Sequence, residues 1–322
     1  MGPAEYALHM NRPFVVVVGA ASRDLTATDP RGWRLGGAVT YGSLTLARLG
    51  LHVGAIVGVD SHASTAHELD ALEATGATVI RVPLDHGPVF EITESPDGRR
   101  LVCHSGSDPI SVFSMPRAWL TQGTPVFLGP VAGEVGPEWT AVGGAELALG
   151  WQGLLRRLTA GENVAAVPPS ANPLLEVATV VALSREDVGG GSTMRELGAY
   201  LASGATLVRT DGPHGGDVVE RAGGGNGDLE WHYTAVPSDR IADATGAGDV
   251  FLAAMLAARN DPALGPDVLV GAAAASLVIE APGIEGVPTR AAVLDRMRRV
   301  DSLASRWASD ASSRARGRPS QA

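Results

Sequence analysis

The stretch Asp243–Asp249 reads DATGAGD, and an apolar run, Val250–Leu256, follows it directly. The glycines at 246 and 248 allow a tight turn and leave room for a ligand beside the backbone. The apolar run predicts a helix, whose first N–H groups lack intrahelical partners and can bind an anion. Asp249 lies where this helix begins, and the positive end of the helix dipole favours its ionised form.

An anion site beside a fixed carboxylate is what phosphoryl transfer to a hydroxyl requires. Backbone N–H groups stabilise the charge on the transferred phosphoryl group, and the carboxylate accepts the proton of the hydroxyl. The simpler interpretation is a capped helix in which Asp249 is a first-turn acid. Both interpretations predict a loop followed by a helix, but only the first assigns a reaction to it.

Composition narrows the class of protein. The chain has 322 residues, 45% of them hydrophobic, and a formal net charge of −10. These values suit one large α/β domain with a sizeable core. The 25 basic residues are all arginine, which excludes a P-loop kinase, since its motif needs a lysine, and also a Schiff-base lysine. The acidic balance argues against a nucleic-acid partner.

Targeting and redox features are few. Cys103 is the single cysteine, so an internal disulfide cannot form, and we interpret it as a small buried residue. Met1–Pro13 lacks a basic stretch followed by an apolar one, so no signal peptide is predicted. The apolar run Phe14–Val18 is too short to span a membrane. We therefore expect a soluble, cytoplasmic protein without a membrane partner.

Apolar runs of strand length alternate with helical patterns along most of the chain, beginning with the β-branched run at 14–18. This alternation predicts an α/β fold with a mostly parallel central sheet and helices on both faces. Residues 89–103 alternate on either side of Pro96-Asp97-Gly98 and predict a β-hairpin. The expected organisation is an N-terminal extension at 1–12, a single domain at 13–308 and a disordered tail at 309–322.

Several residues follow predicted strands, at the edge of the sheet where α/β folds bind ligands. Asp24 lies just beyond the first strand, and Glu134 follows the strand Val126–Gly129. The pair Gly36-Gly37 opens a helix and permits close approach of a substrate to the backbone. Asp24 is equally consistent with a solvated loop acid, and the glycine pair with a plain loop-to-helix joint.

Two further segments at strand ends leave alternatives open. The run Ser184–Asp187 (SRED) is either a helix N-terminus with acidic first-turn residues or a site where Asp187 holds Mg²⁺ through a water. The run Thr210–Gly216 (TDGPHGG) follows a strand at 205–209 and, taken alone, is a turn between two strands.

Taken in order, these motifs resemble those of the ribokinase, or PfkB-type, carbohydrate kinase family. The string DATGAGD is the specific one, since the family signature ends in an aspartate that acts as the catalytic base. The glycine pair, SRED and TDGPHGG are less specific, but they follow the family order between Phe14 and Thr289. The resemblance implies a ribokinase-like fold with a small β-lid formed by segments near 22–36 and 84–106.

The same resemblance implies an ATP-dependent kinase that acts on a hydroxyl of a sugar, a polyol or a nucleoside, with Mg²⁺ bridging the ATP phosphates. Asp249 would be the general base, and the backbone of Gly246, Ala247, Gly248 and Asp249 would form the anion hole. The residues expected to contact the nucleotide are Ser184, Thr210, Gly212, Gly215, Asp243 and Thr245. The residues expected to contact the substrate are Asp24, Gly36, Gly37, Tyr41 and Glu134. The expected metal ligand is Asp187.

The segment after the glycine pair bears on the substrate. Ribose-specific members of the family carry a lysine directly after the pair and an asparagine further on, whereas this chain has Ala38 and Tyr41 there. The difference argues against ribose. The GGxxxY pattern is more similar to uncharacterised bacterial members and inositol-type kinases, and stacking near Tyr41 leaves a nucleoside open. An exposed lid edge would permit homodimers through strand pairing.

Two other classes compete with a kinase. The first is a ligand-binding or regulatory protein on a kinase-like fold, without turnover. It stays open because family members often carry Asn-x-x-Glu where this chain has Ser184 and Asp187. The second is a dinucleotide-binding dehydrogenase, suggested by the valine-rich strand that ends at Gly19. That strand is followed by Ala20-Ala21 and not by GxGxxG, which disfavours the dehydrogenase.

Overall fold

The computed structural model describes residues 14–95, 98–119, 123–142, 146–189, 191–223 and 227–300. The predicted N-terminal extension and the predicted tail lie outside these residues. So do Pro96 and Asp97 at the tip of the predicted hairpin.

The described residues form strands and helices that alternate along most of the chain. In chain order the strands are β1 (Phe14–Ala20), β2 (Arg23–Leu25), β3 (Trp33–Leu35), β4 (His52–Val59), β5 (Thr78–Pro83), β6 (Val89–Ser95), β7 (Gly98–Ser105), β8 (Val126–Leu128), β9 (Leu147–Gly150), β10 (Arg156–Arg157), β11 (Glu162–Asn163), β12 (Ala165–Ala166), β13 (Val180–Ser184), β14 (Thr206–Thr210), β15 (Gly216–Glu220) and β16 (Leu229–Tyr233). The α-helices are α1 (Ala38–Arg48), α2 (His67–Glu73), α3 (Pro173–Val177), α4 (Met194–Gly198), α5 (Ala247–Asn260), α6 (Asp267–Val278) and α7, described over 290–300.

A nine-stranded sheet forms the centre of the described chain, in the order β16-β15-β14-β13-β9-β8-β1-β4-β5. The strands from β14 to β5 in this order run parallel, while β15 and β16 are antiparallel additions at one edge. The predicted mostly parallel sheet is therefore confirmed. Because the strands are parallel, the carboxyl ends of β1, β9, β13 and β14 meet at one edge.

Helices cover both faces of this sheet, which explains why its central strands read as continuous apolar runs. One core layer contains the buried residues of α1, α2, α5 and α6. The other contains those of α3 and α4 together with Trp139 and Trp151. Alternate residues of β1 enter different layers: Val15 and Val17 join the first, and Val16 and Val18 join the second.

A second, five-stranded sheet has the order β11-β7-β6-β2-β3, and we call it the small sheet. The predicted hairpin is present as the antiparallel pair β6–β7, and β2 and β3 fall within the first segment assigned to the lid. The short strand β11 was not predicted. It comes from the connection between β9 and β13.

The connection between β9 and β13 begins with one turn of 3-10 helix, at Gln152–Leu154. Strands β10, β11 and β12 follow it with two residues each, which is too short to give an alternating pattern. The sequence does not delimit strand β9 (Leu147–Gly150), since its four residues are not β-branched. Among the described residues, no helix is both long and apolar enough to cross a membrane.

Candidate active site

The DATGAGD string forms a loop that leads into helix α5, as the sequence predicted. Gly246 is the N-cap residue, with φ 79°, a value that favours glycine. A Cβ atom on Gly246 would lie 2.5 Å from the ring of Tyr41, whereas a Cβ on Gly248 would meet nothing within 4 Å. Gly246 is thus required by the fold. Gly248 leaves open space beside the first turn, where N–H groups lack intrahelical partners.

Asp243 fixes the shape of this loop. One carboxylate oxygen accepts a hydrogen bond from the Thr245 N–H at 2.9 Å, and the other accepts one from the Gly283 N–H at 3.2 Å. The second oxygen also lies 3.5 Å from Nη1 of Arg34, on strand β3 of the small sheet. Asp243 therefore ties the loop to the turn before α7 and to the small sheet.

The glycine pair and Asp24 lie together at the end of strand β1. Asp24 Oδ1 accepts a hydrogen bond from Ser22 Oγ at 2.8 Å. A Cβ atom on Gly36 would lie 2.1 Å from Asp24 Oδ2, and one on Gly37, where φ is 88°, would lie 2.5 Å from the Ala20 carbonyl oxygen. The pair is needed because the backbone passes directly against the Asp24 carboxylate.

A cavity of about 630 Å³ lies between the small sheet and the DATGAGD loop. Its polar wall contains the Asp24 and Asp243 carboxylates, and the strands of the small sheet contribute an apolar wall. The lining residues are Asp24, Leu25, Thr26, Ala27, Gly32, Arg34, Leu35, Tyr41, Glu91, Ile92, Ala242, Asp243, Thr245 and Gly283. This mixture suits a small molecule that carries several hydroxyl groups.

Asp249 is half-buried at the start of α5. Burial raises the pKa of its carboxyl from 3.8 to about 7; Arg156 opposes this rise, while Asp187 and Asp24 add to it. Its charge therefore interacts with residues of three other segments. A carboxyl with a pKa near 7 is suited to accept a proton at neutral pH.

Tyr41 connects the cavity to the loop. It is almost fully buried in helix α1, lines the cavity and packs its ring against Gly246. Burial raises the pKa of its hydroxyl, and the charges of Asp24, Asp243 and Asp249 raise it further. The hydroxyl is therefore neutral at physiological pH and can donate a hydrogen bond.

Glu134 does not reach the cavity, which corrects its assignment as a residue that faces the substrate. Its side chain is 0% exposed. Its carboxylate accepts hydrogen bonds from the N–H groups of Ala20 (2.9 Å), Val131 (3.0 Å) and Ala132 (2.8 Å). Burial raises the pKa of the Glu134 carboxyl, and these hydrogen bonds oppose the rise. Glu134 holds the loop after β8 against the end of β1.

The residues assigned to the nucleotide lie at the same edge of the sheet. Ser184 and Thr210 are register partners at the ends of β13 and β14. Gly215 has φ 85°, and a Cβ there would lie 1.9 Å from the Tyr233 carbonyl oxygen, while Gly212, with φ 49°, opens one turn of 3-10 helix. Both glycines are thus explained by local backbone conformation alone.

Asp187 forms a capping box with Ser184, so the helix N-terminus interpretation of SRED is confirmed. Asp187 Oδ2 accepts a hydrogen bond from the Ser184 N–H at 2.8 Å, and Oδ1 accepts one from Gln152 Nε2 at 3.1 Å. Each oxygen keeps a further lone pair. In the described chain, no group of three or more His, Cys, Asp or Glu side chains could hold a metal ion. The metal role of Asp187 stays a prediction.

Two arginines of the site were missed by sequence reasoning. Arg34 lines the cavity from the small sheet, and Arg156 acts on Asp249 from β10. Neither lies in a glycine motif, and Arg156 belongs to a two-residue strand without a sequence signal. Because the chain has no lysine, any side-chain cation of an anion site other than histidine must be an arginine. This was the one signal in the sequence that pointed to them.

Comparisons with known proteins agree with this geometry. Residues 174–290, which include the DATGAGD loop, match the pfkB family carbohydrate kinases. No curated protein is similar enough in sequence to count as a match.

Solved structures resemble the fold over most of the chain. A pyrophosphate-dependent kinase in the ribokinase family, complexed with a pyrophosphate analog and myo-inositol, has a TM-score of 0.64 and 17% identity, over 84% of this chain and 98% of the other. Arabidopsis thaliana ribokinase, complexed with ribose and ATP, has a TM-score of 0.62 and 18% identity, over 88% and 98%. The nucleoside kinase of Methanocaldococcus jannaschii has a TM-score of 0.61 and 16% identity, over 89% and 98%.

The resemblance to the ribokinase (PfkB) family is confirmed. The ribokinase-like fold extends over most of the described chain, and the family match contains the DATGAGD string. At these identities the solved structures establish the fold alone. The chemistry must be argued from the residues of this chain.

Proposed function

We propose that this protein is a kinase that transfers the γ-phosphoryl group of ATP to a hydroxyl of a sugar, an inositol-like polyol or a nucleoside. The observation that carries the proposal is the half-buried Asp249 carboxyl, with a pKa of about 7, at the N-terminus of a helix that follows a glycine loop. A base and an anion site on adjacent residues match the needs of phosphoryl transfer.

In the proposed reaction, Asp249 accepts the proton of the acceptor hydroxyl as that oxygen attacks the phosphoryl group. The N–H groups at the start of α5, from Gly246 to Asp249, stabilise the charge on the transferred group. The open space beside Gly248 allows the phosphoryl oxygens to approach these N–H groups closely. Closure of the small sheet over the cavity would exclude water, which is a competing acceptor.

Asp24 and the backbone of Gly36 and Gly37 would bind the hydroxyl groups of the acceptor. A carboxylate can accept hydrogen bonds from two hydroxyls, and Asp24 lies against the glycine backbone in the cavity wall. Tyr41 would donate a hydrogen bond. Three structural neighbours bear names that refer to myo-inositol, ribose and a nucleoside kinase, which spans the acceptor classes proposed here.

The nucleotide would lie along the carboxyl ends of β13 and β14. Ser184, Thr210, Gly212 and Gly215 are its proposed contacts, and the fixed Asp243–Thr245 segment borders the phosphate end. Magnesium, when bound with the nucleotide, would neutralise phosphate charge, and Asp187 could accept a hydrogen bond from one of its bound waters. One neighbour is named as an ATP complex and another as pyrophosphate-dependent, so both donors belong in the assay.

The competing proposal is a ligand-binding or regulatory protein without turnover. SRED is fully accounted for as a capping box, so its nucleotide role is not required by the fold. The raised pKa of Asp249 favours the kinase, because binding alone gives no reason to bury an acid beside Asp24 and Asp187.

The deciding experiment measures release of ADP, or of phosphate from pyrophosphate, across a panel of sugars, polyols and nucleosides with Mg²⁺ present. Asp249→Asn removes the base and keeps the anion site, so turnover should fall by about 10³-fold or more, while donor binding persists. Glu134→Gln would be a poor control, because that carboxylate holds a loop. Asp85→Asn, which removes a carboxylate from an exposed loop, is the matched control.

Acceptor-dependent release that is lost in Asp249→Asn and kept in Asp85→Asn would establish the kinase. Turnover should also fall tenfold for each pH unit below about 7, as Asp249 becomes protonated. Donor binding without turnover on any acceptor would favour the binding protein, and wild-type turnover in Asp249→Asn would exclude Asp249 as the base.

A further inference from the structure

Strand β16 is an edge of the central sheet in the part of the chain that the structure describes. Its five residues pair antiparallel with β15 on one side and with no described strand on the other. Its first four residues are exposed and its last is half-buried. Side chains alternate between the two faces of a strand. Those on one face are Leu229, Trp231 and Tyr233, and those on the other are Glu230 and His232.

The first of these faces is apolar and largely open to solvent. Leu229 is 58% exposed and Trp231 is 37% exposed, so β16 holds two of the four exposed large hydrophobic side chains among the described residues. Tyr233 anchors the end of the row, since its ring stacks on that of Phe251 with 5.7 Å between the centroids. An edge strand with an exposed apolar row is a template for pairing with another strand.

The other edges of the two larger sheets are protected against such pairing. Edge strand β5 contains Arg81 and ends at Pro83, which has no N–H to donate. In the small sheet, edge strand β11 has two residues, both polar. Edge strand β3 has three, and its Trp33 ring is covered by the Arg31 guanidinium, 4.4 Å from the ring centroid. Of these four edges, only β16 carries large apolar side chains that are exposed.

The order of residues in β16 is self-complementary in an antiparallel pair. When Trp231 lies opposite Trp231 of a second copy, Leu229 lies opposite Tyr233, and Glu230 lies opposite His232. Apolar side chains then meet only apolar ones, and an acid meets an imidazole twice. A parallel pair in the same register would instead place Glu230 opposite Glu230, and like residues that face each other in this way are unfavourable when charged.

The His232 ring is already oriented for this contact. Its Nδ1 lies 3.0 Å from Asp217 Oδ1 on the neighbouring strand β15. Nε2, on the other side of the ring, is the nitrogen that can reach Glu230 of the second copy.

We propose that the protein forms a two-fold symmetric homodimer in which the β16 strands of two copies pair antiparallel about Trp231 and join their central sheets into one. Such an interface is isologous, so each contact occurs twice. Trp231 lies at its centre, where a large aromatic side chain contributes most to affinity. This interface differs from the lid edge that the sequence suggested, and it does not depend on the proposed kinase function.

The first test is sedimentation velocity of the full chain over a range of protein concentrations, without nucleotide. The wild type should be a dimer. Trp231→Lys places two like charges at the two-fold axis and should raise the Kd of the dimer at least about hundredfold. Glu230→Lys places a positive charge opposite His232 and should raise the Kd about tenfold. Phe113→Lys, at a 93% exposed position outside β16, is the matched control and should dimerise as the wild type does.

The second test keeps Trp231 and measures the register. Glu230→Cys and His232→Cys are prepared separately and oxidised, either alone or as an equal mixture. In the mixture the two new thiols lie directly opposite each other, within reach of a disulfide bond, and the remaining acid–imidazole pair is kept. In each variant alone the two equivalent thiols lie two residues out of register, which is too far. Cys103 is buried and takes no part.

A disulfide-linked dimer that forms in the mixture and not in the separate variants would establish the interface, even if Trp231→Lys failed to fold. A wild type that is monomeric at every concentration would overturn it. So would a dimer that Trp231→Lys leaves intact, or disulfide bonds that form as readily in each variant alone, because a different surface would then join the copies. None of these results depends on turnover, so the kinase proposal stands or falls separately.

Discussion

Replacing Asp249 by asparagine should make the folded protein more stable at high pH. In the folded state the pKa of Asp249 is about 7, against 3.8 for an ordinary aspartate. Because this pKa is raised, the folded state binds more protons than the unfolded state between these values. Stability is therefore lost as the pH rises from about 4 to about 7. Asparagine resembles the protonated acid and avoids this loss.

The magnitude follows from the size of the shift. A rise from 3.8 to about 7 corresponds to about 4 kcal/mol once the pH is well above 7. Water reaches a half-buried carboxylate and reduces the effect, so we expect the stability advantage of Asp249→Asn to be about 2 kcal/mol at pH 8.5. At pH 4.5 the advantage should fall below about 1 kcal/mol, since Asp249 is then protonated in the folded state.

Urea unfolding at both pH values measures this difference, with the midpoint and the slope fitted together. Asp85→Asn, at an exposed position, controls for the change in net charge. Two results would show that burial does not destabilise the carboxylate. Either Asp249→Asn is no more stable than wild type at pH 8.5, or its stability advantage over wild type is the same at pH 4.5 as at pH 8.5. The physical basis for assigning it as a base at neutral pH would then be lost.

Three other substitutions probe the site. Gly248→Ala should be neutral or stabilising by up to about 1 kcal/mol, because its Cβ meets nothing within 4 Å. Turnover should nevertheless fall at least about tenfold, since the methyl group occupies the approach to the anion site; thermal unfolding and kcat together test this. Gly36→Ala should displace the Asp24 carboxylate, which would lie 2.1 Å from the new Cβ, and raise KM for the acceptor with a smaller effect on kcat. Arg34→Gln breaks a part-exposed pair with Asp243 at 3.5 Å; stability should change by less than about 1 kcal/mol, whereas KM for the acceptor should rise several-fold.

The sequence predicted the sheet and the DATGAGD loop because both depend on local signals. Strand β1 contains four consecutive valines, and Gly246 has the positive φ that a sharp turn before a helix requires. Asp24 and Gly36 were expected at the same edge of the sheet, but their direct contact was not predicted, since Asp24 lies in the three-residue strand β2.

The sequence failed where long-range contacts decide the role of a residue. Glu134 was expected to face a substrate, but its carboxylate accepts hydrogen bonds from Ala20, Val131 and Ala132. Ala20 is 114 positions away, and no sequence pattern around Glu134 predicts that contact. Arg156 was missed for the same reason. Its two-residue strand is defined only by partners on other segments, so its charge effect on Asp249 cannot be read from its neighbours in the chain.

Tyr41 shows why the cavity and the DATGAGD loop are not independent. Its ring lines the cavity and packs against Gly246, where any Cβ would collide with it at 2.5 Å. A smaller side chain at position 41 would widen the cavity and also leave a gap behind the loop that precedes Asp249. A substitution at position 41 would therefore alter both the cavity and the position of the loop that leads to Asp249. The tyrosine at 41 therefore requires a glycine at 246, since any larger residue there would collide with its ring.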